Sequence, residues 1–90
     1  MKVFMITYDL RAPGRNYESL YEAIRSAGSW WHFLESSWLL ATNESSIQVW
    51  NRLASFIDRN DHLLIIEVRR DAYGWLPQEA WDWINANVPL

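Results

Sequence analysis

From Val3 to Tyr8 every side chain except Thr7 is apolar or aromatic, and the run stops at Asp9. Both alternating sets are apolar, Val3 and Met5 on one side, Phe4 and Ile6 on the other. That pattern predicts a central strand over residues 3–9, covered on both faces. From Tyr17 the period changes. Tyr17, Leu20, Tyr21, Ile24 and Ala27 follow an i, i+3, i+4, i+7 stripe, while Glu18, Glu22 and Arg25 point away from it. A helix reaching Ala27 is expected, capped by Asn16 and stopped by Gly28 in the left-handed C′ position.

The aromatic run Trp30–Glu35 predicts a second strand and Trp38–Thr42 a third. The reversal at Ser36-Ser37 is weakly marked, since no Asn-Gly or Asp-Gly occurs, so one long bent strand remains an alternative to a hairpin. Asn43 is the expected cap of a second helix over roughly 44–59, with Ile47, Trp50, Leu53, Ala54 and Ile57 as its buried stripe. A polar break, Asp58-Arg59-Asn60-Asp61, precedes a fourth strand, His62–Val68. After a loop containing Gly74, Pro77 suits the first turn of a third helix docked by Trp81, Trp83 and Ile84.

The order β-α-β-β-α-β plus a terminal helix predicts an α+β, ferredoxin-like sandwich with antiparallel sheet order 4-1-3-2. Residues 1–90 form one domain in this reading, with 69–90 packing on the sheet or at a dimer interface. Two crossover helices cover one face of a sheet whose strands 1 and 4 are apolar on both sides. The second face then needs the third helix, a second copy of the chain, or both.

Composition sharpens this picture. Half of the 90 residues are hydrophobic and seven are Trp, a surplus of apolar surface for a small domain. No Cys is present, which excludes disulfides and thiolate metal sites. The first apolar run is too short for a signal peptide and no stretch approaches a membrane span, so a soluble cytoplasmic protein is expected. The net charge of −3 argues against a general nucleic-acid coat protein but leaves room for a local basic patch.

The topology gathers candidate chemistry at one rim. The end of strand 1 (Asp9), the strand 2–3 reversal (Glu35, Ser36, Ser37) and the start of strand 4 (Asp61, His62) share an edge. Helix 1 also opens there, behind Arg11 and Arg15. Carboxylates suit a hard cation, and arginines with free backbone N–H groups suit an anion. Plainer readings stand beside these. Asp9 serves equally as a turn residue, and Arg11 and Arg15 as solvated loop residues. His62 can be a general base beside Asp9 or an exposed strand opener, and His32 fits a packed or interface position. The tryptophans invite base stacking, yet most are expected in core and interface, with Trp30, Trp31 and Trp75 nearest the surface.

Met5-Ile6-Thr7-Tyr8-Asp9-Leu10 followed by basic residues and a helix, and then Glu35-Ser36-Ser37-Trp38-Leu39-Leu40, carry a resemblance. With Gly74-Trp75-Leu76-Pro77 and Glu79-Ala80-Trp81 the chain resembles the SinR family of uncharacterised small ferredoxin-like proteins. More distantly it is similar to the small CRISPR-associated adaptation protein and to the virulence-associated protein D ribonucleases. The resemblance implies a homodimer in which Asp9 lies at the two-fold interface and holds Mg²⁺ or Mn²⁺, with Ser37 lining the same cleft. Arg11 and Arg15 would then contact the phosphates of RNA or DNA. A metal-dependent endonuclease or nucleic-acid-associated protein is the function so implied. The acidic charge and the missing second acid–base pair favour the alternative, a non-catalytic dimeric module that binds a protein partner through an aromatic surface.

Overall fold

The computed structural model describes residues 1–12, 14 and 16–89. The strands are β1 (Lys2–Asp9), β2 (Ser29–Leu34), β3 (Ser37–Thr42) and β4 (His62–Glu67). The α-helices are α1 (Glu18–Arg25), α2 (Ser46–Leu53) and α3 (Gln78–Asn87), and a 3₁₀ turn, Ala54–Phe56, follows α2. The four strands form one sheet in the order β2-β3-β1-β4, every pairing antiparallel. Read from the opposite edge, this is the expected order 4-1-3-2.

β1 is central because both of its faces have something to bury. Phe4 and Ile6 join Leu20 and Ile24 of α1, Val49 and Leu53 of α2, and Trp38 and Leu40 of β3 in the main core. Val3, on the opposite face, packs with Ala41, Ile84 and Val88 in a second, smaller core. α3 builds that second core. Ala80 and Ile84 sit one turn apart on its sheet-facing side, and the Trp83 indole N–H donates to Ser29 Oγ at 3.3 Å. Arg70 ties the far end. One guanidinium NH₂ donates to the Val88 and Asn85 carbonyls at 2.6 and 3.0 Å, where α3 would otherwise leave acceptors unpaired.

Several local expectations need correction. Gly28 is not left-handed; among the described residues Gly14 alone has a positive φ, 74°. Glycine is needed at 28 because a Cβ there would run into the Ala41 carbonyl oxygen of the neighbouring strand. Asn16 does serve the start of α1, accepting from the Glu18 N–H at 2.9 Å. The cap of α2 is Ser45, not Asn43. Its hydroxyl accepts from the Gln48 N–H while the Gln48 side chain accepts from the Ser45 N–H, a complete capping box.

The buried face of α2 also differs from the expected one. Val49 and Leu53 face the core, whereas Ile47 and Trp50, both expected inside, are 60% and 36% exposed. Trp31 is buried although a surface position was expected, and Trp30 and Trp75 are exposed. β2 and β3 form a hairpin rather than one bent strand, closed by Glu35 and Ser36, neither of which has positive φ. Such a turn does not match the strand twist, and the pairing register shifts between Trp31 and Leu34.

Candidate functional site

Antiparallel pairing sets Thr7 opposite Ser37 and Asp9 opposite His62, at the end of the sheet where β1 leaves it. Alternation along β1 puts Thr7 and Asp9 on the face opposite Phe4, Ile6 and Tyr8, so these four polar residues share the face away from α1 and α2. The rim expected from topology therefore exists for Asp9, Ser37 and His62. Arg15 lies outside the described residues.

Asp9 is engaged by its neighbour. The Arg11 guanidinium donates through Nε to Asp9 Oδ2 at 2.8 Å and approaches the same oxygen through NH₂ at 2.6 Å. Both side chains are more than half exposed, so the pair contributes little to stability and can open. Arg11 thus turns toward the acid it was expected to accompany. Ser37 Oγ donates to Thr7 Oγ1 at 3.0 Å, and Thr7 Oγ1 donates to the Ser36 carbonyl at 3.3 Å. No histidine or carboxylate contacts the Ser37 hydroxyl among the described residues. His32 meets the Ser37 carbonyl instead, through Nδ1 at 3.0 Å. Ser37 is therefore a groove-lining hydroxyl held by a second hydroxyl, with no general base in contact.

Asp61, counted in the sequence as a rim carboxylate, has a different task. It is buried, and its oxygens accept from the Arg11 N–H at 2.6 Å and the Asp58 N–H at 2.7 Å. The Tyr17 hydroxyl lies 2.8 and 2.9 Å from its two oxygens and itself accepts from the Ala12 N–H at 3.1 Å. One carboxylate thereby fastens the β1–α1 loop, the start of α1 and the turn into β4. Asp58-x-x-Asp61 before an apolar strand was the available signal, but two of its partners, Tyr17 and Arg11, lie 44 and 50 positions away and no local pattern reveals them. Among the described residues no three His, Asp or Glu side chains gather closely enough to hold a metal ion.

The aromatic residues converge on Trp38 rather than on a ligand surface. The His32 ring stacks on Trp38 with centroids 3.9 Å apart and planes 4° from parallel. Tyr21 stacks at 6.0 Å, Trp30 tilts at 5.4 Å, and the Trp38 indole N–H donates to the Tyr8 hydroxyl at 3.0 Å. Burial pushes the Tyr8 phenol pKa up, against the opposing pull of that indole hydrogen bond. Trp38 is 1% exposed, so no base can stack on it.

Beside that polar rim, the second face also leaves apolar surface open. α3 covers Val3 and Ala41, but toward β4 the side chains of Leu64 and Ile66 remain 53% and 49% exposed. Between Ile66 and the segment leading into α3 runs a groove of about 480 Å³ lined by Met5, Leu39, Ile66, Leu76 and Trp81. No helix among the described residues is long and apolar enough to cross a membrane. No family model matches the chain, and no solved structure matches it.

Proposed function

We propose that this chain is a ferredoxin-like, non-catalytic interaction module that works as a homodimer. The observation that carries the reading is the apolar surface around β4. Leu64 and Ile66 stand out on one face of the strand, and Ile47 and Trp50 of α2 stand out beside it on the other. Clustered aliphatic and aromatic side chains at one edge of a small domain favour association, because water-exposed apolar area is recovered on contact. A second copy is the occupant that needs no other component, and a two-fold contact presents the same patch twice. Light scattering over a dilution series tests this. A mass twice that of one chain, falling on dilution, supports it; one-chain mass throughout removes it.

A second reading, a Mg²⁺- or Mn²⁺-dependent nuclease or nucleic-acid-associated protein, rests on the register that sets Asp9 against His62 with Ser37 nearby. Opening of the Arg11 pair would release the Asp9 carboxylate toward a cation, and two copies would have to supply further ligands. Titration with Mn²⁺ and cleavage assays on RNA and DNA, each with Asp9→Ala alongside, test it. Heat and cleavage that vanish in the variant support the reading, and identical null traces end it.

A further inference from the structure

We infer that two copies join edge to edge through β4, forming one continuous eight-stranded sheet with Ile65 at the two-fold axis; this rests on the homodimer reading above. β4 ends the sheet, and no strand among the described residues pairs with its outer side. The backbone phase of that side can be read from two hydrogen bonds. The Tyr8 N–H donates to Ser36 on the β3 side, so the odd residues of β1 point at β4. The Val68 N–H donates to the Val3 carbonyl, so the even residues at β4 point inward to β1. Leu63, Ile65 and Glu67 therefore present their N–H and C=O groups outward, as a template for another strand.

Antiparallel pairing requires outward-pointing residues to face each other, which limits the registers. With Ile65 opposite the partner's Ile65, Leu63 faces the partner's Glu67 and both outward pairs close. Leu64 then faces the partner's Ile66 on the open face. Sliding to put Leu64 on the axis would set Ile66 against the partner's His62, an apolar side chain against a polar one, whereas the Ile65 register matches Leu64 with Ile66 on both sides of the axis. The same rotation keeps the helical faces of both copies on one side and brings Ile47 and Trp50 toward the partner's α2. One contact thus accounts for apolar exposure on both sides of β4 and for its unpaired backbone.

The absence of Cys makes the test direct. Leu64 and the partner's Ile66 form a non-hydrogen-bonded pair with Cα atoms ~4.5 Å apart, within disulfide range. Leu64 and the partner's Leu64 lie diagonally, ~7–8 Å apart, beyond that range. Co-expressed L64C and I66C chains carrying tags of different mass should give an oxidised mixed dimer at least ten-fold above either same-variant dimer. Glu67→Pro removes an outward N–H while sparing the inward Val68 bond, and should turn the dimer into folded monomer by light scattering and circular dichroism. If Glu67→Pro unfolds, Ile66→Lys takes its place with the same expectation. A dimer that survives these substitutions and gives no mixed disulfide overturns edge pairing and leaves the homodimer reading intact. A wild-type chain that is monomeric overturns both.

Discussion

Tyr17 and Asp61 meet through a phenol and a carboxylate, with the hydroxyl oxygen 2.8 and 2.9 Å from the two acid oxygens. The contact joins the first residue of the α1 stripe to the turn that launches β4. Tyr17→Phe should lower the unfolding free energy by about 1.5–3 kcal/mol, the range for a hydrogen bond to a charged group. Asp61→Ala should cost more, because the Arg11 and Asp58 N–H groups lose their acceptor as well. Urea unfolding of the two variants checks the order; equal losses would show that the phenol alone matters.

Gly28→Ala should destabilise by about 1–3 kcal/mol, since the methyl meets a backbone carbonyl that cannot rotate away. The loss should appear as a lower midpoint with an unchanged denaturant slope. A neutral effect would mean that β2 can shift against β3 at its first pair.

The alkaline limb of stability should involve Tyr8. Burial raises its folded pKa, so its contribution is complete below the ordinary tyrosine value of about 10 and fades as pH climbs through the folded value. Tyr8→Phe leaves the Trp38 indole without its acceptor and should be less stable at neutral pH by about 1 kcal/mol. From pH ~8 to ~11 the gap between wild type and variant should narrow. Thermal melts across that interval measure it.

The acid limb should involve Glu44, where two Arg52 N–H groups donate at 2.7 Å each. The hydrogen bond from Arg52 holds the Glu44 carboxyl below its usual range. Its contribution is therefore full above the ordinary value of about 4.3 and disappears as pH falls through the lowered one. Glu44→Gln should flatten the melting-temperature profile at low pH, and added salt should shrink the difference.

Much of this architecture is legible in local pattern. Two apolar sides on Val3–Ile6 foretell a central strand, and the stripe from Tyr17 to Ala27 foretells α1. The errors fall where a second residue, distant or competing, decides. Ser45 outranks Asn43 as a cap because Gln48 answers it, and packing turns Val49 with Leu53, rather than Ile47 with Trp50, onto the core. Gly28 is set by a strand partner thirteen positions on, not by its own φ. At the rim, the sequence places Asp9, Ser37 and His62 correctly on one edge, yet it gives no hint that Arg11 folds back on Asp9 or that Asp61 is consumed by backbone donors.

The central position of β1 carries a consequence for synthesis. Once made, β1 has both of its edges vacant until residues 37–42 and then 62–67 leave the ribosome. A nascent chain stalled before His62 would display a greasy strand with one side unmatched, a target for chaperones and for other unfinished chains. Completion of the sheet therefore waits for β4, and the time taken to translate from β3 to β4 sets how long the hazard lasts.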